Sequence, residues 1–424
     1  MPGPWLRTRP PAKLRTGLVA AVDVGSTKVC CFIVRLGNGA ARVEGIGHKV
    51  SRGVRSGAIV DMDAAEAAVR ATVEAAERMA GENVRHAVVN LSAGQPNSRL
   101  VAYDVAIAGH EIGDADLRRV LDAAELSREV PDGHELVHAI PVGYSVDGHD
   151  GVHDPRGLFG ERLGVNLHLI SGATGAVRTM DTCLSRCHLD PAGQVFAPYA
   201  SALGCLNDDE RALGVVHIDM GGGTTSFAVF FDGEMIHADV IPVGGGHVTR
   251  DIAHGLSTPL AQAERIKTLF GSCLPSPSDD RQMIEVPPLF EDGAAEHGCV
   301  PRSMLVGIIR PRIEEIFEMV RARLDDAGVS RAAGRQVVLT GGASQLPGVA
   351  DMAAMVLAKQ VRPGTPRPID GMAEAACGPV FATCAGLVRF VEHGAGGGVS
   401  AAFLPEEEPA GRLARLGQWI RENF

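Results

Sequence analysis

The sequence lacks any apolar run long enough to cross a lipid bilayer. A membrane-spanning helix needs about 20 consecutive apolar residues, whereas the run that begins at Leu18 is stopped by Asp23 and Gly25. Residues 1–16 are rich in proline and arginine and contain no apolar segment typical of a signal peptide. We therefore expect no membrane span and no signal peptide, and we predict that residues 1–16 form a disordered tail.

An excess of positive charge is also absent. The formal net charge is -11 at pH 7, which argues against a general affinity for nucleic acid and would repel anionic lipid. Any contact with a membrane must therefore be local. The nine cysteines show no repeating spacing, which argues against a disulfide framework and favours reduced thiols in the cytoplasm.

What the chain does have is the composition of a folded protein with more than one domain. Its 424 residues exceed the roughly 250 to 300 that one core supports, and 45% of them are hydrophobic. Apolar periodicity predicts a helix over 61–80, with Asp61 as N-cap and Gly81 as terminator. It also predicts helices over 114–127 and 249–270, and one over 304–327 that Pro311 interrupts.

The first landmark is the turn DVGSTK between two apolar strands, 18–22 and 29–36. Glycine lets backbone N–H groups approach phosphate, and a carboxylate can hold hydrated Mg²⁺. Alone, the same letters also describe an ordinary β-turn. The candidate phosphate-binding residues here are Asp23, Gly25, Ser26, Thr27 and Lys28.

A second strand, turn and strand begins at Gly214 and repeats this pattern as GVVHIDMGGGTTSFAVFF. Its turn is too rich in glycine for an ordinary hairpin, so the two turns together predict a two-sided phosphate clamp. The candidate residues of the second turn are Asp219, Gly221, Gly222, Gly223, Thr224 and Thr225. We predict that Asp23 and Asp219 hold Mg²⁺ through water.

A third glycine turn follows an apolar strand in LTGGASQLPG, at 339–348. A nucleoside could lie against its backbone, which makes Gly341, Gly342, Ala343 and Gln345 candidate binding residues. Between the second and third turns, Glu264 and Lys267 stand one helical turn apart. They could reach a ribose and a base, or they could form a solvated ion pair.

In order and spacing the three turns resemble those of the ATPase superfamily that includes actin, hexokinase and the heat-shock chaperones. Further segments resemble the FtsA family of bacterial cell-division proteins, and the resemblance runs from about 17 to 424. They are DPRGLFGERL with the preceding HAIPVGYSVDG, then VGGGHVTRDIAHGLSTPLAQAERIK, and IIRPRIEEIFEMV. This resemblance implies an α/β fold with two lobes around a nucleotide cleft and with ATP and Mg²⁺ as ligands.

The resemblance also implies a division into subdomains, in which an insert called 1C replaces the usual actin subdomain 1B. Lobe 1 would comprise subdomain 1A at 17–83, 166–213 and 376–393, with 1C at 84–165. Lobe 2 would comprise subdomain 2A at 214–246 and 304–375, with 2B at 247–303. A flexible linker at 394–410 and a helix at 411–424 would complete the chain.

The function implied by the resemblance is attachment of the division filament to the cytoplasmic face of the inner membrane. The protein would polymerise like actin and bind the C-terminal peptide of FtsZ through 2B. It would recruit later division proteins through 1C. One departure concerns hydrolysis, because chaperone relatives place a glutamate before the proline of FAPYAS, where this chain has Ala197 before Pro198. We therefore predict tight nucleotide binding with at most slow turnover.

The last fourteen residues, GRLARLGQWIRENF, have the pattern of a short amphipathic helix. At 100° per residue, one arc of about 140° would hold all five large apolar side chains. They are Leu413, Leu416, Trp419, Ile420 and Phe424. Such a helix would lie in a membrane interface or dock on the protein body. The long linker expected at 394–410 favours the membrane, because a helix packed on the protein body seldom needs so long a tether.

Three other classes of protein share the nucleotide turns. A small-molecule kinase of the same superfamily is the main alternative, and it would lack the C-terminal amphipathic helix. A chaperone ATPase would need a substrate-binding domain after the nucleotide core, for which only about thirty residues remain. A cell-shape actin homologue would keep the usual 1B subdomain, which the 1C-like segment disfavours.

Overall fold

The computed structural model describes residues 17–37, 40–121, 126–289 and 298–395. The predicted N-terminal tail, nearly all of the predicted linker and the predicted C-terminal helix lie outside these residues. The five apolar side chains assigned to the membrane belong to that last segment, so their placement stays a prediction.

Strands and helices alternate along the described chain. The strands are β1 (Gly17–Val24), β2 (Lys28–Gly37), β3 (Ala40–Val50), β4 (Val54–Arg55), β5 (Ala58–Ile59), β6 (His86–Leu91), β7 (Asn97–Ala106), β8 (His134–Val146), β9 (His149–Val152), β10 (Arg162–Ala173), β11 (Asp190–Phe196), β12 (Val215–Met220), β13 (Thr225–Phe231), β14 (Glu234–Ile241), β15 (Met283–Val286), β16 (Gly298–Pro301), β17 (Gln336–Thr340) and β18 (Gln360–Pro363). The α-helices are α1 (Met62–Ala80), α2 (Asp114–Val120), α3 (Thr174–Arg186), α4 (Ala197–Cys205), α5 (Asp208–Leu213), α6 (Gly245–Gly255), α7 (Leu260–Phe270), α8 (Arg302–Asp326), α9 (Val349–Leu357) and α10 (Ala382–Ala395).

Two five-stranded sheets with the same topology form the two lobes. The order is β11-β6-β1-β2-β3 in lobe 1 and β14-β13-β12-β17-β18 in lobe 2. In each sheet an antiparallel hairpin, β1–β2 or β12–β13, continues into a third antiparallel strand, while the first hairpin strand pairs in parallel with a later strand. The predicted internal repeat is therefore present in the tertiary structure, and it brings both glycine turns to corresponding sheet edges.

The insert of lobe 1 is a separate four-stranded sheet, in the order β7-β10-β8-β9. Its strands begin with β7 and end with β10, so the structure places the insert at about 97–173 rather than at 84–165. The difference arises because β6 pairs in parallel with β1 and thus belongs to the sheet of lobe 1. A hydrophobic core of its own includes Ile107, Leu117 and Leu163.

The predicted helices differ in how closely the structure follows them. Helix α1 matches: Asp61 accepts a hydrogen bond from the Ala64 N–H, and Gly81 ends the helix with a φ of 74°. The helix predicted over 249–270 is two helices, α6 and α7, separated by the turn before Pro259. Helix α2 already ends at Val120.

The interruption predicted at Pro311 is absent, because α8 continues through this residue. Proline removes one hydrogen bond to the carbonyl four residues earlier, which here belongs to Gly307. Both residues are exposed, so water can satisfy that carbonyl. The helix therefore keeps its length, and its apolar face, which includes Ile309, Ile313 and Phe317, packs into the core of lobe 2.

Layers of apolar side chains hold the two lobes together. Lobe 1 has a core on each face of its sheet, and lobe 2 has one large core under α6, α8 and α9. A further cluster joins the insert and both lobes through Ile170, Phe196, Phe230 and Val338. Within the described residues, no helix has the length and apolarity that a membrane span requires.

Candidate nucleotide-binding site

A cavity of about 480 Å³ lies between the two lobes. Of the residues predicted from the sequence to bind nucleotide, all but Thr225 line this cavity. They are Asp23, Gly25, Ser26, Thr27, Lys28, Asp219, Gly221, Gly222, Gly223, Thr224, Glu264, Lys267, Gly341, Gly342, Ala343 and Gln345. Three turns and one helix, far apart in the sequence, thus converge on one space.

The two hairpin turns are in direct contact across the cavity. A Cβ built on Gly222 would lie 1.8 Å from the Thr27 Oγ1, and one on Gly223 would lie 2.3 Å from the Ser26 Oγ. Such distances leave no room for a side chain, so the hydroxyl-bearing turn fits against the glycine turn only because the latter has none. Residues of both turns line the cavity, and glycine at these positions lets a phosphate approach the backbone closely.

A buried ion pair defines the first turn. The Lys28 Nζ lies 3.0 Å from the Asp23 Oδ2, and the two side chains are 21% and 11% exposed. Burial is the largest single influence on the pKa of Lys28 and would lower it. The charge and hydrogen bond of Asp23, together with the nearby thiols of Cys30 and Cys384, outweigh burial, so the pKa is raised above its usual value. Lys28 is therefore a permanent positive charge in the cavity wall.

Asp219, the carboxylate of the second turn, is held differently. Its Oδ2 accepts a hydrogen bond of 2.9 Å from the Thr383 hydroxyl. Burial raises the pKa of Asp219 to about 6, hydrogen bonds from Thr383 and Ser201 oppose the rise, and the nearby charge of Asp23 adds to it. Behind it, the Ser201 Oγ lies 3.0 Å from the Nε2 of His217. Asp219 is therefore more easily protonated than an ordinary aspartate.

Thr225 does not reach the cavity. It is fully buried as the first residue of β13, and its hydroxyl donates to the carbonyl of Val243 at 2.8 Å. Side chains alternate along a strand, so Thr224 and Ser226 line the cavity while Thr225 points away. Its role in the structure is to fix the chain that leads into α6.

The N-terminus of α6 forms a wall of the cavity that the sequence interpretation missed. The N–H of Gly245 donates to the carbonyl of Gly221 at 3.0 Å, and the N–H of Gly246 donates to that of Gly222 at 2.7 Å. A helix N-terminus favours anions. The signal was available, since three glycines stand at the N-cap and the first two positions of the helix in VGGGH, but it was used only to support the resemblance.

Glu264 and Lys267 form the ion pair that one interpretation predicted, while their reach to a ribose and a base stays a prediction. They form an ion pair of 2.7 Å on α7, and they also line the cavity. The Lys267 Nζ donates further to the Thr249 hydroxyl at 2.9 Å and to the Gly245 carbonyl at 3.2 Å. The pair therefore joins α7 to the start of α6, and the lysine is held in place.

The third glycine turn approaches Asp219 closely. Gly341 has a φ of 90°, and a Cβ on it would lie 2.4 Å from the Asp219 Oδ1. Only glycine tolerates both constraints. Ala343 and Gln345 follow within a short 3-10 helix, Gly342–Gln345, at the rim of the cavity.

Several other residues of the cavity carried no recognisable sequence signal. Asn90 is buried at the end of β6, where its Oδ1 accepts a hydrogen bond of 2.7 Å from the Val24 N–H. Thr383 comes from α10, at the far end of the described chain. Ala197, by contrast, was already noted in the sequence, and it lines the cavity at the start of α4.

The residues present suit a nucleotide with its magnesium ion. The cavity falls in the size range of small-molecule sites, and glycine backbone, a helix N-terminus and Lys28 supply attraction for phosphate. The carboxylates of Asp23 and Asp219 are hard oxygen ligands of the kind that Mg²⁺ accepts through water. When bound, the metal would neutralise phosphate charge, and these residues would orient the nucleotide.

Comparison with known proteins agrees with this geometry. A family model described as "Cell division protein FtsA" matches residues 216–386, and one described as "SHS2 domain inserted in FTSA" matches residues 93–171. A cell division protein FtsA from Agrobacterium fabrum is 42% identical, over 99% of this chain and 97% of that protein. The chain belongs to the FtsA family of cell-division proteins. The cell division protein FtsA of Escherichia coli is 31% identical over 96% of this chain and 98% of that protein.

Solved structures confirm the actin-like fold independently. A PilM–PilN complex of type IV pilus biogenesis matches with a TM-score of 0.62 at 17% identity, covering 88% of this chain and 98% of that one. An MreB protein of Spiroplasma citri bound to ADP matches with a TM-score of 0.54 at 13% identity, covering 91% and 100%. The insert matched by the second family model coincides with the sheet β7-β10-β8-β9, as expected for an FtsA-type 1C subdomain.

Proposed function

We propose that this FtsA-family protein binds ATP with Mg²⁺ and polymerises in an actin-like manner. We further propose that it anchors FtsZ filaments to the cytoplasmic face of the inner membrane and helps to recruit later division proteins. The observation that carries the proposal is the convergence of two phosphate-type turns and a third glycine turn on one interlobe cavity. Membership of a division family supplies the cellular process.

The protein is proposed to bind ATP tightly and to hydrolyse it slowly or not at all. Ala197 lines the cavity, where the resemblance to the chaperones implies a glutamate, and alanine offers no proton acceptor. Lys28 and the glycine turns would stabilise phosphate charge without generating a nucleophile. We therefore expect ATP hydrolysis to be slow or absent in the purified protein, and rapid steady-state hydrolysis would contradict this part.

Membrane attachment is proposed to reside in residues 411–424. Burying five large apolar side chains would contribute at most about 7 to 10 kcal/mol, before the cost of ordering the segment. A single segment would therefore bind reversibly. Polymerisation would present many such segments together, so avidity would make attachment depend on the filament. Arg415 and Arg421 would offset the repulsion between lipid and the acidic body.

The proposed partners follow the subdomains. The C-terminal peptide of FtsZ would bind subdomain 2B, formed around α6, α7, β15 and β16. Later division proteins would bind the insert. Filament contacts between copies of the chain would complete the assembly, and we expect no nucleic-acid partner.

The test is co-sedimentation of the full chain with vesicles, in the presence of ATP, Mg²⁺ and a peptide of the FtsZ C-terminus. Ile420→Glu places a charge on the apolar face of the last segment, whereas Gln418→Glu adds the same charge on its polar face. We expect the first variant to lose vesicle binding and the second to retain most of it. Both variants should still bind ATP. Equal binding by the two variants would contradict the proposed membrane segment.

A further inference from the structure

Three arginines lie close together at the end of helix α10, away from the nucleotide cavity. Arg389 belongs to the last two turns of α10, Arg367 to the segment after β18, and Arg211 to α5. The Arg389 Nη2 donates to the carbonyl of Pro368 at 2.6 Å, which places it beside Arg367. Burial lowers the pKa of Arg367, and the charges of Arg389 and Arg211 lower it further. We call these three residues the arginine cluster.

The arginine cluster is incompletely neutralised. Arg389 pairs with Glu392 at 2.7 Å and Arg211 pairs with Asp208. Within the described chain, no carboxylate lies within 4.0 Å of Arg367, whose Nη2 donates only to the Leu203 carbonyl at 3.3 Å. The Nε atoms of all three arginines are buried and have no hydrogen-bond partner among the described residues.

Other charged groups near the cluster do not remove this deficit. Arg362 lies beside α5 but forms its own pair with Glu210, at 2.7 Å between Nη2 and Oε2. Glu234 lies within electrostatic range of Arg211, but it is exposed and makes no ion pair within 4.0 Å in the described chain. Guanidinium groups recognise carboxylates through paired hydrogen bonds. A short acidic segment is the chemistry that fits this surface.

The same chain supplies such a segment within reach. Glu406, Glu407 and Glu408 lie between two prolines in LPEEEPAG. Arg389 stands about 9 Å before the end of α10 at 1.5 Å per residue. From that end, eleven residues lead to Glu406, and a glycine-rich chain of that length would have an end-to-end distance of roughly 17 to 20 Å. Tethering at this length gives an effective concentration in the millimolar range.

We propose that the acidic run 406–408 docks on the arginine cluster of its own chain. Docking would hold residues 411–424 beside the body, and anionic lipid would compete with the acidic run for the same guanidinium groups. This consequence for membrane attachment rests on the proposed function, whereas the docking itself does not. Charge complementarity and short reach favour the same chain over a second copy.

The test is the rate at which a glutamate-specific protease cleaves the full chain at 406–408, followed by mass spectrometry without lipid. A free peptide with the sequence of 401–411 gives the unprotected rate under each condition. At low salt we expect cleavage of the chain to be about tenfold slower than cleavage of the peptide, which corresponds to a charge-assisted interaction of about 1.4 kcal/mol. High salt should abolish the difference.

Variants separate docking from other causes of protection. Arg211→Gln and Arg367→Gln should each restore most of the peptide's rate, whereas Arg335→Gln, an exposed arginine elsewhere on lobe 2, should not. The two cluster variants act on different elements, so misfolding of one leaves the other informative. Equal rates for chain and peptide at low salt would overturn the proposal. Protection that rises with protein concentration would also overturn it, because such protection indicates docking on a second copy.

Discussion

The two hairpin turns occupy corresponding positions in sheets of the same topology, yet they are built from opposite chemistry. The turn of lobe 1 carries an ion pair and two hydroxyl side chains, whereas the turn of lobe 2 meets them with three successive glycines. Thr27 and Ser26 occupy the space that Gly222 and Gly223 leave open. The two turns of the repeated topology can therefore touch at the cleft because the turn of lobe 2 has glycine where the turn of lobe 1 places side chains.

The largest effect is expected from filling that space. Gly222→Val places a branched side chain where even a Cβ would lie 1.8 Å from Thr27, so the turns must separate. We expect affinity for ATP to fall about a thousandfold or beyond detection. Titration with a fluorescent ATP analogue, together with a thermal melt, measures this effect.

Two alanine substitutions at glycines of lobe 1 provide references for this loss of ATP affinity. Gly25→Ala meets only the Lys28 carbonyl, at 3.0 Å, and Gly37→Ala meets nothing within 4 Å. We expect a moderate loss of affinity for the first and none for the second. If Gly222→Val bound ATP as well as Gly37→Ala does, the contact between the turns would be irrelevant to binding.

The ion pair of lobe 1 should matter chiefly for stability. Lys28→Met leaves the Asp23 carboxylate without its partner in a largely buried position, which we expect to cost about 2 to 3 kcal/mol of unfolding free energy. The double variant with Asp23→Asn should recover much of this loss, because no uncompensated charge remains. Urea unfolding of the two single variants and the double variant measures the coupling, and strict additivity would show that the pair is not a unit.

The carboxylate of lobe 2 should make binding depend on pH. The pKa of Asp219 is raised to about 6, so at pH 5 only about a tenth of it is ionised. We expect Mg²⁺-dependent affinity for ATP to fall about tenfold from pH 7 to pH 5. Asp219→Asn is the control, since it keeps the titration of the nucleotide itself and should show a smaller change.

The raised pKa of Asp219 also affects the free energy of unfolding. This effect has the opposite pH dependence to ATP binding, because it favours the folded state at low pH. Because the folded-state pKa lies above the unfolded value near 3.9, folding is favoured by the protonated form. This contribution is fully present below about pH 4 and is lost as the pH rises through about 6. Comparing Asp219→Asn with the unchanged chain across this range isolates it. A wild-type melting temperature that shows no such difference would contradict the raised pKa.

The smallest effect is expected at the contact between the insert of lobe 1 and strand β14 of lobe 2. The insert of lobe 1 touches the edge strand of lobe 2, where the Ser98 Oγ lies 2.7 Å from the His168 Nε2 and accepts a 3.2 Å bond from the Ala238 N–H. Ser98→Ala should cost about 1 kcal/mol and speed amide exchange in β14. Ser278→Ala, at an exposed site, should change neither. Unaltered exchange in β14 would show that Ser98 does not join the insert to lobe 2.

Individual elements show where sequence patterns suffice. Helix α1 was predictable because its N-cap, its apolar face and its terminating glycine are all local. The continuity of α8 was not, since it depends on an exposed Gly307 that lets water satisfy one carbonyl. The start of the insert was placed too early because only pairing with β1 assigns β6 to lobe 1.

The cavity shows the same division. The sequence by itself was enough to predict the fold class. It also predicted residues that, with the exception of Thr225, do line the cavity, because glycine, aspartate and hydroxyl residues at strand ends form local patterns. Only the tertiary structure decided that Thr225 points away, that Asn90 and Thr383 join the site, and that the two turns touch. These facts depend on strand alternation and on contacts between distant segments, for which a linear pattern carries no signal.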